Sequence, residues 1–222
     1  MREPRREDDD ALATIELVVR LNASPRIVDE FVRAAGSSHA DNWFYAGLAA
    51  WALMDVTAHS LRKHSLLTSA LDHLSTAVSL RPDHWPARFM RASYLTMLHS
   101  DEADEMIAFL LPGSYGLAAA RDDARTLVDL RSAADPRAPY GLAPYCLLAV
   151  QALMDGDEPH AWEALRAGLS RTDAGPAPAM ATQLAVPVVI ALRRPELDGQ
   201  PALRAELTRR CRLLTQPRER VT

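Results

Sequence analysis

The 222-residue chain is 48% apolar and 24% charged, so it is long enough to bury a core as one extended domain or at most two. Alanine and leucine dominate and only 9 residues are glycine, which favours helix and excludes collagen, wholesale disorder or a many-stranded sheet. A formal charge of −4 excludes a bulk electrostatic drive toward nucleic acid.

From the N-terminus, MREPRREDDD offers no apolar core of the kind a secretory signal needs, and residues 1–9 are expected to be disordered. Gly and Pro then punctuate the chain at intervals of one helix. The segments between them predict about eleven helices, approximately 10–21, 25–35, 41–61, 66–80, 85–98, 101–111, 115–132, 138–154, 158–170, 177–194 and 200–214. No run alternates β-branched and polar residues, so strands are not expected. Ser100 followed by Asp101 and Glu102 suits the start of the sixth helix, where unpaired N–H groups favour an oxygen and negative charge. Pro187 is predicted to kink or divide the tenth. The most apolar stretches, Tyr140–Met154 and Ala179–Leu192, fall short of the roughly 20 residues that a bilayer span needs. Gln151 and Gln183 also interrupt them. A cytoplasmic protein without a membrane partner is the expectation. Cys146 and Cys211 are too few and too far apart in sequence for a disulfide framework or a zinc site. The abundance of Ala, Arg and Pro suggests the coding bias of a GC-rich bacterial genome and carries no mechanism.

Short helices joined by tight turns invite a search for internal repeats. Tyr145 to Leu169 has an aromatic residue, Leu148-Ala149, Ala152, the turn Gly156-Asp157, then Ala161, Leu165 and Gly168. Small residues let paired helices approach, and large ones fill the gaps between turns. This segment resembles a tetratricopeptide repeat, whose pattern combines those features at similar spacing. A split second match joins Trp43 to Ala50 with Ala70, Leu74, Ala77, Leu80 and Pro82. Trp43 and Ala70 lie 27 positions apart and Tyr145 and Ala161 16, so the 11 extra residues make about three helical turns and preserve the facing direction. Trp85 to Leu98 would begin another unit, although Arg88 and Arg91 stand where the family usually places apolar residues. The resemblance covers about half of the chain. It implies an all-α fold, a right-handed solenoid of antiparallel helix pairs over residues 1–222, with 200–222 as a basic capping helix and tail. The competing expectation is an irregular helical bundle.

In that family the first helix of each pair lines a concave, binding surface. The resemblance therefore places Phe44, Leu48 and Trp51 on it, then Phe89, Ser93 and Met97, then Val150 and Leu153. The family's peptide-clamp members line this groove with Lys, Arg and Asn; the mostly apolar stripe here departs from them and argues against a carboxylate clamp. An apolar face of this extent has to be covered. The chain's own helices, an amphipathic partner helix, a second copy forming a homodimer and an apolar small ligand are the alternatives.

Catalytic chemistry has one candidate constellation. If 41–61 is one helix, Asp55 and His59 stand four apart, with a carboxylate to orient an imidazole and Arg62 to hold an anion beside them. Six of the seven histidines, from His39 to His99, cluster in sequence without the i,i+4 spacing of a helical metal site, so neither metal nor cofactor is expected. No Gly-rich phosphate loop, G-x-S-x-G elbow or H-E-x-x-H occurs. From Arg204 to Arg220 six arginines face Glu206 and Glu219, on a helix whose apolar side is Leu203, Leu207, Cys211 and Leu214. That suits a soluble cap on a solenoid end, and no aromatic residue is present there to stack on bases. The sequence thus points to a non-enzymatic adaptor or accessory protein that binds a protein or peptide. The alternative is a small helical enzyme or ligand-binding protein with Asp55, His59 and Arg62 at the polar end of its pocket.

Overall fold

The computed structural model describes residues 39–55, 57, 60–100, 115–133, 141–170 and 181–215. Among them the chain is all-helical, with eight α-helices: α1 Ala40–Asp55, α2 Ser60–Leu80, α3 Trp85–Ser100, α4 Leu117–Ala133, α5 Ala143–Met154, α6 Glu158–Leu169, α7 Ala181–Arg193 and α8 Pro201–Thr215. A 3-10 turn, Pro195–Gly199, precedes α8. The count is lower than the eleven expected; the helices predicted over 10–21, 25–35 and 101–111, with the Ser100–Glu102 start, lie outside the described residues. The expected single helix over 41–61 is corrected. It ends at Asp55, where the Thr57 hydroxyl turns back to donate to the Leu53 carbonyl (2.7 Å), and a new helix begins at Ser60. Pro187 does not divide α7, which runs through it.

The chain forms two compact units, Met1–Arg91 and Ala92–Thr222, with the boundary inside α3. In the first, α1 and α2 pack as an antiparallel pair. The buried face of α2 is Leu67, Ala70, Leu71, Leu74, Ala77 and Val78, at the three- and four-residue steps of a helix stripe. Against it α1 sets Ala46, Ala50 and Gly47, and a Cβ on Gly47 would come within 2.9 Å of Leu74 Cγ and 3.1 Å of the Ala70 carbonyl. Only a glycine admits that approach. The arginines of α3 that depart from the repeat pattern have local work: Arg88 donates to the Pro82 carbonyl (2.6 Å) and Arg91 to the Ser75 hydroxyl of α2 (2.9 Å).

In the second unit α5 lies at the centre, with nine of its twelve residues buried, and packs against α4, α6 and α7. Its core joins Cys146, Ala149, Val150 and Leu153 to Trp162 and Leu165 of α6, Val188 and Ala191 of α7, and Leu207 of α8. Gln151, which interrupts the apolar run, is buried and donates from its amide to Thr96 Oγ1 (2.8 Å). Three residues connect α5 to α6. Gly156 adopts φ +75°, its N–H reaches the Leu153 carbonyl (3.0 Å), and the Asp157 N–H reaches that of Ala152 (2.8 Å), which together close α5 as a Schellman turn. Asp157 then opens α6 by accepting the His160 N–H through its carboxylate. Gly156→Ala, forced into the left-handed region, is expected to lose about 1–2 kcal/mol of unfolding free energy in urea denaturation. A neutral result would mean that the turn relaxes to another conformation.

Candidate functional site

The side chains assigned to a concave surface are buried in the chain itself. Phe44, Leu48, Trp51, Phe89 and Ser93 are all below 9% exposed, Val150 and Leu153 belong to the core of the second unit, and Met97 packs partly buried against that core. Burial within the chain accounts for their apolar character.

The three residues proposed for catalysis are not assembled as one helical stripe. Asp55 is the last residue of α1, Arg62 is exposed near the start of α2, and His59 lies outside the described residues. The i,i+4 argument required an unbroken helix, and the break after Asp55 removes it. The structure builds an Asp–His–Arg cluster from other residues. His84 Nε2 stands 3.0 Å from Asp41 Oδ1, at the start of α1, and Arg81 donates to the same oxygen (2.8 Å). The other ring nitrogen, Nδ1, accepts the Ala87 N–H (3.1 Å), so the imidazole caps α3. With 1% of its surface exposed and both nitrogens engaged, His84 has neither the access nor the lone pair of a general base. It ties a junction together. Sequence spacing gave no sign of this cluster, since its members lie 40 and 43 positions apart.

An open site occurs elsewhere, over α5 in the second unit. A cleft of about 400 Å³ has α4 as one wall, with Arg121 and Arg125, and α6 as the other, with His160 and Glu163. Leu148 and Ala152 of α5 form the floor together with Tyr145, and Ala164 and Ala167 lower the α6 wall. Leu148, Ala152 and Met154 are the three residues of α5 that are not fully buried. The charges are unequally committed. Arg121 pairs with Asp155, and Asp157 with His160 (2.6 Å), whereas Arg125 and Glu163 are exposed without an ion-pair partner among the described residues. Among the described residues the cleft thus carries one uncommitted cation and one uncommitted anion on opposite walls over an apolar floor. Two signals in the sequence anticipate it: arginines four apart on α4, and polar residues at helical spacing on α6 beside the outward Leu148.

The basic α8 is internally neutralised over its first turns. Arg204 pairs with Asp198 (2.6 Å), Arg209 and Arg210 share Glu206, and Arg210 also donates to the Leu169 carbonyl that ends α6 (3.3 Å). Hydrogen bonding from Arg209 is the main reason that the Glu206 carboxyl is held down to about 2. Arg218 and Arg220 lie outside the described residues. Cys146 is buried and Cys211 half-buried; neither is in a disulfide, and burial pushes both thiols up, away from the reactive thiolate. Among the described residues no group of three His, Cys, Asp or Glu side chains could hold a metal ion, and no helix is long and apolar enough to cross a membrane. No family model, curated protein or solved structure matches the chain.

Proposed function

We propose that the chain is a non-enzymatic, cytoplasmic adaptor or accessory protein, a divergent tetratricopeptide-like solenoid that binds another polypeptide. The segment it takes is an amphipathic helix seated in the cleft over α5, with an apolar anchor on Leu148, an acidic residue toward Arg125 and a basic residue toward Glu163. The observation that supports this reading is the cleft itself, whose two walls carry opposite uncommitted charges above an apolar floor. The repeat-like construction of α1–α2 and α5–α6, each pair holding a glycine at its closest approach, is consistent with it.

A photo-crosslinking residue at Leu148, in cells of the native host, is expected to capture a polypeptide that the same residue at the exposed Leu61 does not. Arg125→Glu is expected to weaken that capture by about fivefold at low salt, and less at high salt, as rim charges do. No polypeptide at Leu148, or full capture after charge reversal at both Arg125 and Glu163, removes the reading. Crosslinks confined to a second copy of this chain replace it with a homodimer.

A further inference from the structure

We propose that Asp41, His84 and the Ala87 amide form a proton-operated latch, in which a neutral imidazole, tied to Asp41 at the start of α1, caps the first turn of α3 and acid releases that cap. The tautomer follows from geometry. A backbone N–H can only donate, so Nδ1 of His84, 3.1 Å from the Ala87 nitrogen, has to present its lone pair. The ring proton then sits on Nε2, where it is donated to Asp41 Oδ1 (3.0 Å). A second proton has one place to go, and that place is Nδ1. Protonation replaces an acceptor by a donor facing another donor, and leaves the Ala87 amide of the first turn without its cap.

Three elements meet the ring. Asp41 of α1 favours the charged imidazolium, whereas Arg81, just beyond α2, opposes it. Phe44 of α1 covers a ring face at 5.2 Å between centroids and adds no charge. The N-terminal end of α3 carries its own partial positive charge toward Nδ1 and opposes protonation as well. Burial is the largest influence, and with Arg81 it lowers the His84 pKa below the usual histidine value despite Asp41. The unfolded chain therefore takes up the proton first on acidification. Stability from this site is complete above the ordinary value of 6.5 and is lost as pH falls through the lowered, folded-state value.

The test uses the full chain labelled with 15N in histidine and backbone amides. At pH 7.5, long-range imidazole correlations are expected to show His84 as the Nε2–H tautomer. On acidification its ring is expected to titrate below pH 6.5, and at the same midpoint the exchange protection of the Ala87 amide should drop about tenfold, the loss of one helix cap. His84→Asn supplies a side-chain acceptor that does not titrate, and is expected to keep Ala87 protected at pH 7.5 while abolishing the acid step there. An Nδ1–H tautomer in the wild-type chain overturns the latch. So does titration of His84 with Ala87 protection unchanged. Neither measurement depends on the variant folding.

Discussion

Phe44→Ala is expected to lower the free energy of unfolding by about 3–5 kcal/mol, the loss characteristic of truncating a fully enclosed aromatic side chain. Phe44 is 4% exposed, with its ring 5.2 Å from that of His84 and 5.5 Å from that of Tyr45. Removing it opens a void beside the capping imidazole, so transfer and cavity contributions add. The measurement is urea unfolding followed by far-UV circular dichroism. Leu61→Ala serves as the comparison, because Leu61 is 78% exposed and its truncation should change stability by less than about 0.5 kcal/mol. The contrast separates two roles for an apolar helix residue. A core residue costs stability when truncated in the isolated chain, whereas a contact residue costs only affinity. A loss below about 1 kcal/mol for Phe44→Ala would return it to the surface that its helical position suggests.

Much of the fold is legible in the sequence because helix pairs are specified locally. Gly156 and Asp157 mark the turn between α5 and α6 with the two residue types that a left-handed closure and an N-cap require. Pro82, which has no N–H to continue the ladder, follows the last helical bond of α2, from the Arg81 N–H to the Ala77 carbonyl. The break after Asp55 was hidden, since the sequence from Val56 to Ser60 contains neither Gly nor Pro. The direction of the apolar stripes was harder still. Periodicity tells which residues share a face, and it is silent on whether that face meets the chain's own helices or another molecule. Phe44, Leu48 and Trp51 illustrate the point, for their spacing fits a binding groove and a core equally well. Long-range ties escape periodicity altogether. Asp41 and His84 look like surface residues until the pairing of α1 with α2 brings the end of α2 back to the start of α1.

Gly168→Val is expected to cost about 3 kcal/mol, at the upper end of what overfilling a packed interface brings. Even a single methyl at this position would lie 2.8 Å from Tyr145 Cβ and 2.8 Å from Leu142 Cδ1. The Leu142 methyl ends a flexible side chain, but Tyr145 Cβ is fixed to the backbone of α5, so the helices themselves have to part. Parting them weakens contacts along the whole pair, including Val150 and Leu153 against Trp162 and Leu165. Helix propensity works in the opposite direction, since valine replaces the worst ordinary helix former, and recovers about 0.5 kcal/mol. Steric cost therefore wins. Gly199→Ala provides the control: no atom lies within 4 Å of its added Cβ, and stability should stay within about 0.5 kcal/mol. Gly168→Ala, which gains more propensity and adds less volume, is expected to fall between the two. The ordering Val, Ala at 168, then Ala at 199 in urea midpoints is the signature of helices held at glycine distance. If Gly168→Ala instead stabilised the protein as an ordinary exposed glycine replacement does, α5 and α6 would be farther apart than the pairing requires, and the repeat-like nesting on which the cleft over α5 depends would be lost with it.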